Sequence, residues 1–307
     1  MNYIAFIGTS RIINDHILAS KKNNFKTVAI CSSRKKSKFL KVIAKKNSIR
    51  NTFYSLKKFI NFTQKYKNIS YVIAPQIKYN ERILKKILKY DNKILIEKPI
   101  FENNKKIKFL LKYKKKIFVA YNRVYYQNIE FLKKRLYYKN NIIVRCDIPE
   151  KNIKSINLNS CHIISILFYL FGNLKFKLLN KNKKFVFCSL YNSKVKIFIN
   201  FIFTSPENFS ISINENNNLY QLKPIEKLTS YSSMQIIRKK NENFYVPKIN
   251  LKKNEYLINK NLKPGFIKQY RNFKSFIKGN NSKNYIDITK AYKIMKICNL
   301  ISSPKVK

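Results

Sequence analysis

At 307 residues, 45% hydrophobic and 14% aromatic, the chain has material for two ordinary domains with packed cores, which argues against disorder throughout. Five cysteines, an odd number with no C-x-x-C pair, exclude a disulfide framework and a zinc knuckle; two histidines and 14 acidic residues leave few metal ligands. The charge of +51, from 65 Lys+Arg, would suit nucleic acid or an anionic membrane, but the lysines run along nearly the whole chain rather than clustering. They come with abundant Asn, Ile, Tyr and Phe, no Trp and only 4 Gly, so A/T-rich codons account for the charge without a partner.

The first 120 residues alternate short apolar runs with helix-length basic segments. "YIAFIG" (3–8), "KTVAICSS" (26–33), "SYVIAP" (70–75), "KILIEKP" (93–99) and "KIFVAYN" (116–122) are near-continuous and rich in Ile and Val, as in parallel strands buried on both faces. Between and after them, "IINDHILASKK", "KSKFLKVIAKKN", "SLKKFINFTQKY", "NERILKKILKY" and "NNKKIKFLLKYKK" space their apolar residues three and four apart, which predicts helices. Five βα steps in a row predict a Rossmann domain, a doubly wound parallel sheet, over residues 1–121.

From residue 122 the rhythm changes, and a second domain is expected over 122–307. A helix ("NIEFLKKRLYY") leads to a strand ("NIIVRCDI") and an apolar helix around "CHIISILFYLFG". Residues 174–222 hold longer strand-like runs joined by Asn-rich or Ser/Pro turns, which read as an antiparallel sheet. Residues 224–262 are polar and carry no clear period, and two helical segments close the chain, the first stopping at Gly279. No stretch approaches the roughly 20 apolar residues of a membrane span. With a strand at the very start, the expected location is the cytoplasm.

The first strand ends on Gly8 in "FIGTSRIIND", where a dinucleotide fold needs a tight turn that brings backbone N–H groups and a helix N-terminus to a pyrophosphate. Of the G-x-G-x-x-G fingerprint only Gly8 is present; Ser10 and Ile13 stand at the other positions. Ser10 is small enough for a near approach, so Gly8, Ser10, Arg11 and Ile12 are candidates for an imperfect but retained cofactor turn. The second strand ends in "ICSSRKK", without the acid that holds ribose hydroxyls. Ser32, Ser33, Arg34 and Lys35 instead suit a 2′-phosphate, so NADP is preferred over NAD.

With "ILIEKPI" the order of motifs resembles the glucose-fructose oxidoreductase and inositol dehydrogenase (Gfo/Idh/MocA) family. The likeness runs through "FIGTSRI", "YVIAP", "FVAYNRVYYQNIEFLKKRL", "SCHIISILFYLFG" and "FIKQYRNFKSFIKG". It implies an N-terminal Rossmann domain followed by a C-terminal α+β domain on an open, mostly antiparallel sheet, and an NAD(P)-dependent oxidoreductase acting on a CH–OH group of a sugar, nucleotide-sugar or cyclitol. Ala74, Pro75, Glu97 and Lys98 would join the cofactor site. Lys98 would touch the reacting hydroxyl beside the nicotinamide, where a cation lowers the cost of a developing alkoxide, and His162 would take the proton. Arg123, Tyr125 and Asn159 are candidates for the substrate.

The departures from the family are specific. Where it often carries an Asp four residues before the histidine and another three after, this chain has Leu158 and Ser165, and Tyr79 or Asn80 replaces a histidine after "SYVIAP". Asn157, Asn159 and Ser165 remain as groups that could orient His162. Cys161 adjoins His162, but helix neighbours point about 100° apart and form no nucleophile pair. A catalytically degraded scaffold paralogue is therefore the alternative to an enzyme. The resemblance further implies a homo-oligomer through the second sheet.

Overall fold

A computed structural model describes residues 2–34, 37–102, 104–239, 242–257, 262–280 and 285–303. The chain forms two compact units, Met1–Tyr125 with Asn261–Lys296, and Tyr126–Lys260 with Ile297–Lys307.

In the first unit, β1 (Asn2–Ile7), α1 (Ile12–Lys22), β2 (Phe25–Cys31), α2 (Lys38–Lys46), β3 (Thr52–Phe53), α3 (Leu56–Thr63), β4 (Ser70–Ile73), α4 (Asn80–Ile87), β5 (Lys93–Glu97) and β6 (Ile117–Ala120) follow in order. The six strands are all parallel and lie in the order β3-β2-β1-β4-β5-β6, that of a doubly wound dinucleotide fold. Every residue of β4 and β6 is buried, so these strands consist almost wholly of apolar residues. Two details differ from expectation. β3 has two residues, too few for a periodic signal, and the predicted helix around 103–115 winds as a 3-10 helix over Asn104–Tyr113.

The boundary also differs from a single cut after residue 121, because residues 261–296 belong to the first unit. α7 (Phe266–Ile277) brings back an aromatic face. The Phe273 ring stacks on Phe25 at 6.2 Å and meets Phe118 edge-on at 5.5 Å, while Phe276 meets Phe118 at 5.8 Å. Val119 then donates its amide to Ile286 O at 3.0 Å, which extends the backbone pairing beyond β6. Burial of these rings, worth about 2 kcal/mol each, outweighs their distance along the chain. α7 stops as expected, with Gly279 at φ +76° and its amide bonded to Phe276 O.

The second unit holds α5 (Gln127–Leu136), β7 (Ile142–Glu150), α6 (Cys161–Phe171) and β8–β14 at Lys175–Lys181, Phe185–Tyr191, Val195–Phe203, Ser210–Glu215, Asn218–Leu222, Lys227–Lys239 and Glu242–Asn254; α8 (Ile288–Ser302) ends in it. Its eight strands run β14-β13-β12-β11-β7-β10-β9-β8, with β7 and β10 parallel and every other pair antiparallel. β7 and β10 alternate buried and open positions, so one face of the sheet is packed and the other open. The polar segment without a period is the long β13–β14 hairpin, whose second strand is exposed or half-exposed throughout. With no buried face, nothing forces its residues to alternate. Among the described residues, no helix is long and apolar enough to cross a membrane.

Candidate functional site

The carboxyl ends of β1, β2 and β4 are tied together at Gly8. Its amide donates to Cys31 O at 2.9 Å, and the Ala74 amide donates to Ile7 O at 2.9 Å. Gly8 has φ +122°, and a Cβ there would lie 2.4 Å from Ala74 O, so no other residue fits this turn. Ser10 donates its hydroxyl to the same Ala74 oxygen at 2.8 Å, which gives it a role in closing the turn. α1 begins immediately afterwards. Arg11 stands at its N-cap in helical conformation, and no side chain caps the helix.

Beyond β2 lies a cavity of about 660 Å³, whose lining includes Ser32, Ser33, Arg34, Tyr54, Lys57, Tyr79, Arg82 and Lys86. It is lined by four cations and no acid. Ser32 is buried, and its Oγ accepts the Arg34 amide at 3.1 Å, shaping the turn that carries Arg34 outward. Arg82 donates to Ser33 O at 3.4 Å, and its guanidinium lies 5.8 Å from the Tyr79 ring centre. Lys35, proposed with this group, lies outside the described residues. Arg82 and Lys86 escaped sequence reasoning because they sit on α4, far along the chain from β2. Their spacing of four on a basic helix just after Tyr79 was the available signal. Burial pushes the Cys31 thiol up to about 12, so it is an inert packing group, and all five cysteines are buried and unbridged.

β5 ends on Glu97, and the Lys98–Pro99 peptide is cis. The half-buried Glu97 carboxylate is held twice: Oε1 lies 2.9 Å from His16 Nε2, and Oε2 accepts the Lys98 amide at 3.2 Å. Asn80, which stands near the position of a family histidine, is buried and donates to Ile100 O at 2.8 Å, fastening the start of α4 to the chain after Pro99. Ala74 is buried against Gly8, whereas Pro75 and Ile12 are half-exposed. Arg123 is half-exposed in a 3-10 turn, but Tyr125 is only 2% exposed, with its ring parallel to Phe118 at 6.4 Å; that places it in the aromatic core rather than on an open wall.

In the second unit His162 is half-buried in the first turn of α6, directly after a π-helical turn over Ile156–Ser160. The expected orienting groups are otherwise engaged. The Ser165 hydroxyl donates to the backbone oxygen His162 O at 2.7 Å, three residues back along the helix, and the Asn157 amide donates to Ser302 Oγ at 3.4 Å. Asn159 donates to Glu150 Oε2 at 3.3 Å, and Ser160 donates to Glu150 Oε1. Glu150, 5% exposed at the end of β7, thus brings a carboxylate into the turn before His162 from ten residues upstream of Ser160. Its place at the end of a strand gave no motif to find it by. Among the described residues, no group of three or more His, Cys, Asp or Glu is arranged to hold a metal ion.

The residues of the first unit fit a dinucleotide: a turn that admits no Cβ, a helix start without a side-chain cap, and an acid-free cationic cavity. Residues 3–121 match the family model described as "Oxidoreductase family, NAD-binding Rossmann fold". No curated protein matches the sequence. Among solved structures, an oxidoreductase from Thermotoga maritima aligns with TM-score 0.74 and 12% identity over 98% of this chain and 95% of its own. The UDP-N-acetylglucosamine 3-dehydrogenase from Acidithiobacillus ferrooxidans aligns with TM-score 0.73 and 10% identity over 98% and 96%. The WlbA dehydrogenase from Bordetella pertussis, solved with NADH and UDP-GlcNAcA, aligns with TM-score 0.69 and 15% identity over 97% and 94%. At such identities the structures share a fold. Residues 3–121 are thus similar to the NAD-binding Rossmann region of the Gfo/Idh/MocA oxidoreductases, and the chain as a whole shares the fold of solved members of that family.

Proposed function

We propose that the chain is an NADP-dependent oxidoreductase that interconverts a CH–OH group and a ketone on a sugar, with a nucleotide-linked sugar as the leading substrate class. The observation that carries the cofactor preference is the cavity beyond β2, which offers Arg34, Lys57, Arg82 and Lys86 and no carboxylate. A ribose with free hydroxyls is held by an acid, and a 2′-phosphate by cations. When bound, a nicotinamide dinucleotide supplies the hydride acceptor or donor. Lys98 stabilises negative charge as it develops on the substrate oxygen, and His162 moves the hydroxyl proton. Glu150 keeps the turn before His162 in place through Ser160 and Asn159. The nucleotide-sugar class is supported by two neighbours of the same fold, one a UDP-N-acetylglucosamine 3-dehydrogenase and one solved with UDP-GlcNAcA. A cytoplasmic location goes with this reading, as does self-association through the open face of the second sheet, where Ile143 and Phe198 are exposed.

Titration with NADPH and NADH, followed by cofactor fluorescence, tests the proposal. NADPH binds more tightly than NADH, and Arg34→Ala weakens NADPH by about tenfold while leaving NADH unchanged. Lys98→Ala lowers turnover of a nucleotide-sugar panel by about 10²–10³. Failure of the protein to bind either cofactor rejects the enzyme reading. NADPH binding without turnover of any sugar favours the scaffold alternative, which the Ser10 and Ile13 replacements and the Leu158 and Ser165 replacements of the family's acids support.

A further inference from the structure

The chain has two histidines, and one of them, His16, is fully buried in α1. Phe266 meets the ring at 5.1 Å and Tyr270 at 5.8 Å, both edge-on. His16 Nδ1 lies 3.0 Å from the Tyr270 hydroxyl and Nε2 lies 2.9 Å from Glu97 Oε1. The other Glu97 oxygen accepts the Lys98 amide at 3.2 Å. A line of polar groups therefore runs from α7, through α1, to the end of β5, in an otherwise aromatic interior.

We propose that Tyr270, His16 and Glu97 are positioning residues for Lys98, a buried hydrogen-bond chain that fixes the backbone from which the Lys98 side chain departs. The inference rests on the role given to Lys98 above. Glu97 accepts the Lys98 amide on Oε2 and offers Oε1 to the imidazole as an acceptor, so the ring donates through Nε2 and the Tyr270 hydroxyl donates to the other nitrogen. Nδ1 is then the acceptor, the ring hydrogen sits on Nε2, and that nitrogen donates to Glu97. Glu97 receives one hydrogen bond on each oxygen, from the imidazole and from the Lys98 amide. Each donor meets one acceptor. With water excluded from the first links, each bond is strengthened and a broken link leaves a buried polar group unmatched. Glu97 holds the Lys98 amide and so fixes the backbone point from which the Lys98 side chain departs.

Tyr270→Phe removes one hydroxyl and keeps the ring packed on Phe25 and Phe273. Imidazole ¹⁵N spectra of the cofactor-free protein, assigned with His162→Asn, show His16 protonated on Nε2 alone, and Tyr270→Phe shifts the Nδ1 signal. In turnover, Tyr270→Phe lowers kcat by about tenfold with the NADPH KM changed by less than about twofold. Combined with Lys98→Ala it costs less than about a further twofold, because both act on one group. Glu97→Gln, of the same size, gives the same pattern. Additive losses, or a ring hydrogen on Nδ1, overturn the positioning role while leaving the enzyme reading intact. A wild-type protein that binds neither NADPH nor NADH overturns both.

Discussion

The six-stranded sheet of the first unit and the eight-stranded sheet of the second draw on the same few residue types and use them in opposite ways. β4 and β6 are buried at every position, so lysine is kept out of them and the strand ends carry the polar chemistry: Gly8 after β1, Ser32–Arg34 after β2, Glu97 and Lys98 at the end of β5. β10, by contrast, alternates, with Val195, Ile197, Ile199 and Phe201 inward and Lys196 and Phe198 outward. A sheet covered on both faces concentrates function at its edge, while a sheet open on one face has a whole surface to offer.

The sharpest way to break this contrast is at two glycines. Gly8→Ala should destabilise the protein by about 4 kcal/mol or more, since positive-φ strain adds to a backbone clash. Gly172, with φ +80°, ψ −143° and no atom within 4 Å of a built Cβ, should cost only the backbone strain of about 1–3 kcal/mol on the same change. Urea denaturation measures both, and equal losses would mean that the turn at Gly8 is no tighter than an ordinary helix stop.

Next in size is a pair of isoleucines. Ile96→Ala, in β5 and fully buried, should cost about 3 kcal/mol. Ile143→Ala, 49% exposed on the open face of the second sheet, should cost less than about 0.5 kcal/mol in a monomer. A larger loss that shrinks on dilution would show that a second copy covers that face. Glu150→Ala, which strips the Ser160 and Asn159 hydroxyl and amide of their acceptor, should cost about 2 kcal/mol and lower activity through His162. Glu150→Gln should recover part of both.

The smallest effect separates two carboxylates by pH. Lys106 and Lys85 hold Glu81 down at about 2, whereas burial raises Glu255, whose carboxylate accepts the Asn128 amide at the start of α5. The stabilisation from Glu81 is complete above its ordinary value of 4.5 and is lost as pH falls through about 2. Glu255 acts with the opposite sign: it binds its proton more tightly when folded, so stability is lost as pH rises from 4.5 through the raised value. Thermal midpoints should therefore fall less between pH 4.5 and 7 in Glu255→Gln than in the parent chain. Glu81→Gln should change only the acid limb.

The same contrast explains what could be read in advance. Strands buried on both faces announce themselves as Ile/Val runs, and the glycine turn and Lys98 follow from where those runs end. β13 and β14 are silent, because strands with little buried surface need no period. The cationic cavity was legible at Arg34 and not at Arg82 or Lys86, since a pocket gathers residues from α4 that sequence order keeps far from β2. Glu150 and Tyr270 were hidden for the same reason: each acts on a motif that lies elsewhere in the chain.

The return of α7 sets a schedule for synthesis. A nascent chain that has left the ribosome as far as β6 holds all six strands of the first sheet, yet Phe25 and Phe118 lack their aromatic cover and His16 lacks its phenol until Phe276 has emerged. The whole intervening unit is translated first. The first unit therefore cannot finish vectorially, and a product cut short anywhere before α7 exposes an apolar seam for chaperones or proteases to find.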